Sequence, residues 1–366
     1  MKILFLTNIP SPYRVNFFNE LGKSCELTVL FETDASTERD KSWKNYQFQN
    51  FEGIILPGKR TGLDTAFCPT IVKYLKRDKY DHIIVTVLSS PTGLLAAAWM
   101  RFHHIPYMYE GDGGAPRGRK GWKAAIKRFI ISPAKLYFST SVEFDEYCMA
   151  YGATKEKIRR YPFSSVYDRD VLDKQPDSAL KAMLRKQLAI EEEHFILSVG
   201  RIVRLKGYDI LLKAYAQIDD PTWGLYVIGG SINAEFEEIV TKKNLKNVHF
   251  LDFKLPDELK KYYMAADIFV LPTRFDPWGL VINEAMAVGL PVVTTYACGA
   301  GTEMVDQGKN GYLYEPEDIQ TLAAHLQLLM KSEGLRTQFG EISLQTAAGY
   351  TIEKMAEAHC LILNNQ

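Results

Sequence analysis

The sequence predicts an α/β protein made of two doubly wound domains. Three observations carry that prediction. The chain has 366 residues, too many for one ordinary core. Short apolar runs recur along it, each bounded by turn residues and followed by helical periodicity. This alternation runs through twice, with a polar, strand-poor stretch at residues 168–193 in between.

In the first half the runs are KILFLTN, CELTVLF, HIIVTVL, IPYMYEG and KLYFST. Apolar and β-branched runs of this length, closed by turn signals, suit parallel strands buried on both faces. SSPTG, residues 89–93, reads as a turn and helix start after HIIVTVL. The break falls between YPFSSVYDRD and HFILSVG, with a linker near residues 165–175 and a helix at SALKAMLRKQLAI. The second half continues with HFILSVG, WGLYVIGG, NVHFLD, IFVLPT and PVVTT. A last helix, TIEKMAEAHCLILNN, packs on its own domain or crosses back to the first. The expected domains are 1–168 and 169–349, with residues 350–366 as that returning helix. Open α/β sheets bind ligands beyond the C-terminal ends of their strands, so chemistry is expected just after the apolar runs.

Composition narrows the function class. A hydrophobic fraction of 46% with 24% charged residues is globular. Basic and acidic residues balance at 44 each, but residues 1–175 hold 26 basic and 19 acidic side chains, against 18 and 25 in the remainder. A basic half and an acidic half suggest different partners for each. No nucleic-acid-binding pattern accompanies the basic half, and none is expected as a partner. Five scattered cysteines without a CxxC read as free thiols in a reducing, cytoplasmic compartment. MKILFLTNIPSPYR reads as a first buried strand rather than a signal peptide, and no uninterrupted apolar stretch reaches transmembrane length.

Two stretches of the second half carry chemistry. In SVGRIVRLKGYDILLKAY, residues 198–215, a strand ends at Gly200, Arg201 follows, and Lys206-Gly207 precedes a helix. Two cations at a strand-to-helix junction suit a diphosphate, Arg201 as a planar fork and Lys206 as a point charge. The alternative is a solvated basic loop. In FDPWGLVINEAMAVGLPVV, residues 275–293, Asp276 sits in the loop and Glu284 inside the following helix. Glu284 can accept from the two hydroxyls of a ribose and Asp276 from sugar-ring hydroxyls, while Gly279 and its neighbours let backbone N–H groups approach phosphate. Alternatively Glu284 is an exposed helix charge and Asp276 a capping residue. No His, Cys, Asp or Glu cluster has metal-ligand spacing, and no cofactor is expected.

Together these stretches resemble the retaining glycosyltransferases of family 4. The resemblance rests on Gly200-Arg201 with Lys206-Gly207, on Asp276-x7-Glu284-Ala285-Met286-Ala287, on Gly289-Leu290-Pro291-Val292-Val293, on Gly299–Glu303 and on Asn310-Gly311, within roughly residues 195–330. It implies the GT-B fold, two facing Rossmann-like domains with an interdomain cleft. It also implies a donor that is a nucleotide-diphosphate sugar of UDP or GDP type. By resemblance Arg201 and Lys206 hold the diphosphate beside Gly200, Glu284 holds the ribose, Asp276 touches the transferred sugar, and Trp278, Gly279 and Leu280 line the donor. Retention is ascribed in the family to front-face attack, with a donor phosphate oxygen taking the acceptor proton. The chain departs from the pattern at Asp276, where the family usually has Glu, and at Trp278, where Phe is usual. The shorter acid implies an altered donor preference.

The first half supplies candidates for an acceptor. It begins with an IPSPYR segment similar to that of polysaccharide-assembly members of the family. Asn8 and Arg14 follow the first strand, and Arg14 either meets an acceptor phosphate or is a surface charge. After IPYMY, Glu110 and Asp112 precede Gly-Gly, where a carboxylate could orient or deprotonate an acceptor hydroxyl, or simply form a turn. In RGRKGWKAAIKRFII, residues 117–131, Arg117, Arg119, Lys120, Lys123 and Lys127 accompany Trp122 with no acid between them. A basic amphipathic helix with Trp reads as a contact to an anionic membrane surface, or as a core helix with a basic outer face. The expected function is transfer of a sugar to a hydroxyl of a glycan acceptor, lipid-linked, in cell-surface polysaccharide synthesis, on the inner face of the membrane. The competing readings are a GT-B epimerase or nucleotide-sugar hydrolase, and a non-catalytic nucleotide-sugar-binding subunit.

Overall fold

The computed structural model describes residues 1–34, 46–114, 121–218 and 220–366. It divides into two compact units, Met1–Ser165 with Thr351–Gln366, and Val166–Tyr350.

The first unit is a seven-stranded parallel sheet. Its strands are β1 (Lys2–Thr7), β2 (Glu26–Phe31) and β3 (Glu52–Ile55), then, after a small antiparallel pair β4 (Lys59–Arg60) and β5 (Ala66–Phe67), β6 (His82–Val85), β7 (Met108–Gly111), β8 (Tyr137–Ser139) and β9 (Ile158–Arg160). The order β3-β2-β1-β6-β7-β8-β9 reverses direction at β1, which leaves the crossover point between β1 and β6. β1 and β2 each expose their first residue and bury the next five, because helices cover both faces. Those helices are α1 (Pro12–Leu21), α2 (Pro91–Phe102), α3 (Trp122–Ile131) and α4 (Val142–Ala150). The SSPTG turn starts α2 through local chemistry: Ser90 Oγ accepts from Gly93 N at 2.9 Å, and Pro91 occupies the first turn.

The second unit repeats the plan with six strands, β10 (His194–Val199), β11 (Trp223–Ile228), β12 (Val248–Leu251), β13 (Ile268–Leu271), β14 (Val292–Thr295) and β15 (Gly311–Tyr314). The order β12-β11-β10-β13-β14-β15 reverses between β10 and β13. Helix α5 (Ser178–Gln187) leads in, capped by Asp177. Helices α6 (Tyr208–Tyr215), α7 (Ala234–Lys242), α8 (Pro256–Ala265), α9 (Leu280–Ala287), α10 (Gly299–Met304), α11 (Ile319–Lys331) and α12 (Glu333–Ala347) follow. Ile196, Leu225, Val227, Ile268 and Val270 form the centre of its core with Leu211, Phe236, Leu326 and Phe339.

The last helix, α13 (Ile352–Asn364), belongs to the first unit and packs along α1. His359 is its deepest polar residue, fully buried and stacked on Phe138 with ring centroids 4.9 Å apart. The unit boundary lies at 165/166, three residues before the expected 168.

Candidate functional site

The second unit gathers its chemistry at the crossover between β10 and β13. The loop after β10 turns tightly at Arg204–Lys206 and enters α6 through Gly207, which has φ +72°. A Cβ at Gly207 would lie 1.9 Å from the Pro272 carbonyl oxygen, so glycine is the residue that lets this loop touch the one after β13. The two loops are then stitched together. Arg274 N donates to the Leu205 carbonyl at 2.9 Å, and Thr273 Oγ1 to the same oxygen at 3.1 Å. Arg274 itself is a fork on the Asp209 carboxylate, at 2.7 and 2.8 Å, and pairs with Glu317 as well. Hydrogen bonding from the guanidinium helps hold the Asp209 carboxyl below its usual range against the opposing effect of burial.

That stitching brings Lys206 and Asp276 into contact: Lys206 Nζ donates to Asp276 Oδ2. Both side chains are largely shielded, at 17% and 13% exposure. The lysine stem crosses Gly200, whose carbonyl accepts from the Tyr208 hydroxyl at 2.9 Å. Asp276 is fixed through its backbone, with N donating to the Ala297 carbonyl at 3.0 Å and O accepting from Gly299 N at 3.2 Å. Arg201 is exposed, next to Gly200.

Glu284 is half-buried in α9 and accepts from the Tyr263 hydroxyl at 2.8 Å. Gly279 opens that helix at φ +96°, where a Cβ would meet Cys298 Sγ at 2.7 Å. Leu280 is half-buried beside it. Trp278 departs from its expected place. Its ring is 2% exposed, and its Nε1 donates to Asn283 Oδ1 at 2.9 Å. The indole is therefore part of the packing that holds the loop, not a surface offered to a ligand. Cys298 lies beneath, its thiol pushed up to about 12 by burial and by the Asp276 carboxylate.

In the first unit Asn8, Arg14, Glu110 and Asp112 also meet at one sheet edge, but two of them are sealed in. Arg14, in α1, and Glu110, in β7, form an ion pair with side chains 5% and 0% exposed. Glu110 also accepts from the Tyr161 hydroxyl at 3.2 Å and faces His359 Nε2 at 3.2 Å. Burial opposes ionisation of Glu110, but Arg14 and His359 hold its carboxyl down to about 2. Arg14 is thus neither the surface charge nor the open phosphate contact that the sequence suggested. Glu110 is its internal counter-ion and is not placed to touch an acceptor. Asp112, 4.0 Å from Arg14 and 42% exposed, reaches the surface. Asn8 is half-buried and donates to Asp64 at 3.1 Å.

The sequence reading did not single out Arg274, Asp209 or His359. Asp209 has a local signal, an acid in the first turn of a helix. The pairing partners of Arg274 and His359 are too distant in sequence to be read from it. Among the described residues no group of three or more His, Cys, Asp or Glu is arranged to hold a metal ion.

Of the expected membrane contacts, Arg117, Arg119 and Lys120 lie outside the described residues. Trp122 is 70% exposed, and Lys123 is exposed beside it. Lys127 instead turns its Nζ over the rings of Tyr147 and Tyr151, 5.1 Å from each centroid. Phe102, at the end of α2, is 73% exposed and lies 6.3 Å from the Phe129 ring. Among the described residues no helix is long and apolar enough to cross a membrane.

Residues 181–346, which contain every second-unit residue of the site described above, match the family model for glycosyl transferases group 1. Over this segment the chain is similar to group 1 glycosyl transferases. The chain is 32% identical over 261 residues to the D-inositol 3-phosphate glycosyltransferase of Corynebacterium jeikeium, covering 68% of this chain and 61% of that relative. It spans 50% and 45% of the length of two further glycosyltransferase relatives. A protein of 41.2 kDa in the cps region of Klebsiella pneumoniae is 27% identical over 258 residues, covering 68% of this chain and 69% of the relative. The fold matches that of Anabaena HepE in complex with UDP, with a TM-score of 0.80, 20% identity and all of both chains covered.

Proposed function

We propose that the chain is a retaining glycosyltransferase of family 4. It moves a sugar from a nucleotide-diphosphate sugar to a hydroxyl of a lipid-linked glycan, in cell-surface polysaccharide assembly at an anionic membrane surface. The observation that carries this reading is the placement of Lys206 and Asp276 side by side at the β10–β13 crossover, inside the matched segment. Ligands of open α/β sheets bind at that point. The relative from a cps region and the Trp122–Lys123 face support the acceptor side.

In this reading the bond from the anomeric carbon to the diphosphate breaks, and its electron pair goes to the phosphate oxygen. The acceptor oxygen bonds to the same carbon from the same face, and its proton passes to that phosphate oxygen. Arg201 and Lys206 offset the charge that builds on the diphosphate, without calling on a divalent ion. Glu284 accepts from the ribose and Asp276 from the transferred sugar. Asp112 orients the acceptor hydroxyl.

The test is incubation of the purified protein with labelled nucleotide sugars and a lipid extract. Label entering the lipid fraction with retained anomeric configuration supports the reading. Donor breakdown without an acceptor product favours a hydrolase or epimerase, and binding without turnover favours a non-catalytic subunit. Transfer with inversion overturns the family 4 assignment.

A further inference from the structure

Lys206 does not wait for its ligand as a bare cation: it is already paired with Asp276. Shielding raises both the attraction between the two charges and the cost of leaving either one unpaired. Neither group drifts easily, because the Arg274 fork and the Leu205 carbonyl hold the two loops against each other. Resting on the donor-site reading above, this has a direct consequence. A diphosphate that takes Lys206 must separate it from Asp276. The carboxylate then faces an incoming anion with its cation withdrawn, next to the Trp278 backbone N–H at 3.4 Å.

The two nucleotide species that visit the site differ in how they meet that carboxylate. A nucleotide sugar brings ring hydroxyls, which donate hydrogen bonds to Asp276 as Lys206 moves to phosphate. The nucleoside diphosphate left after transfer brings no such donors and carries more negative charge. For that species the competition between phosphate and Asp276 for one lysine is uncompensated.

We propose that Asp276 is a resident counter-ion that makes the site favour the sugar-bearing nucleotide over the spent nucleoside diphosphate, and so drives product release. Its second task, beyond touching the sugar, is to reclaim Lys206 once the sugar has gone. The aspartate suits this task because its short side chain is anchored at both backbone groups, to Ala297 and Gly299, and sits within reach of the lysine.

The experiment is calorimetric titration of the full chain and of Asp276→Asn and Asp276→Glu with UDP, GDP and ADP, and with their glucose conjugates. In Asp276→Asn, the nucleoside diphosphate that the wild type binds should bind about tenfold tighter, because the competing charge is removed. Its sugar conjugate should gain no affinity, so the preference for donor over product collapses. Asp276→Glu, which keeps the charge, should retain most of the wild-type preference. A purely structural role would weaken diphosphate and sugar conjugate together, and that result overturns the proposal. So does unchanged diphosphate affinity in Asp276→Asn. If the wild type binds none of these nucleotides or conjugates, the donor-site reading itself fails and the counter-ion role falls with it.

Discussion

Each unit holds a cation paired with a carboxylate at the loop-bearing edge of its sheet, and the two pairs differ in what surrounds them. Arg14 and Glu110 are sealed, and Tyr161 and His359 close the back. Lys206 and Asp276 keep some contact with solvent and are held by backbone and by a neighbouring Arg274 fork. Paired charge at a sheet edge is therefore not itself a sign of a binding site. A pair enclosed by aromatic rings acts as internal framework, whereas a pair with an accessible side can exchange partners.

The strongest way to break this contrast is to unpair the sealed pair. Arg14→Met strands Glu110 in the core and should cost about 3–5 kcal/mol of stability, read by urea unfolding. A change below about 1 kcal/mol would put Arg14 in the same class as a surface pair. Lys206→Ala should leave folding close to wild type while lowering kcat by about two to three powers of ten. Turnover near the wild-type rate would remove Lys206 from the chemistry and erase the contrast from the other side.

The pH dependence sharpens the comparison. Glu110 is held well below its ordinary 4.5, so its contribution is fully present above that value and is lost as pH falls from about 4.5 toward about 2. Wild-type stability should drop over that window by roughly 3 kcal/mol. The double variant Arg14→Met with Glu110→Met should lose that part of the slope, and an unchanged slope would assign it elsewhere.

The smallest effect concerns cations on α3. Lys123 lies over the exposed Trp122 ring, 5.5 Å from its centroid, and stays at the surface with it, whereas Lys127 is half-buried over two buried tyrosine rings. Lys123→Glu should weaken co-sedimentation with anionic vesicles by a few-fold, with about 1 kcal/mol at stake per cation near the surface. Lys127→Glu should act through stability instead, by losing its cation–π contacts. Equal effects on vesicle binding would show that the ring contacts do not hold Lys127.

Much of this was legible in the sequence because it is local. Every apolar run named there contains a strand, since a strand buried on both faces must be apolar nearly throughout. The residues singled out in the second half lie at or just after the strand-to-helix junctions where the pattern put them. The unread strands include those with weaker apolar signals: β3 and β9 are partly exposed edge strands, β4 is two basic residues, and β5 is only two residues long. β15, although mostly buried, opens on Gly311, which was noted only as part of the Asn310-Gly311 match. The sealed pair was illegible for a different reason. Arg14 and Glu110 are 96 positions apart, and His359 is 249 positions from Glu110, so nothing in either local pattern announces the contact. Trp278 was placed on the donor by resemblance alone, while its indole N–H has an internal acceptor five residues on that the resemblance does not reveal.

The return of α13 also sets an order of events during synthesis. The first unit emerges from the ribosome well before the helix that supplies His359, with the whole of residues 166–350 translated in between. Until then Phe17 and Phe138 lack the ring that packs between them, and Glu110 lacks one of its partners. The nascent first half therefore spends translation with an open seam along α1, and the second unit can finish folding before the first is closed.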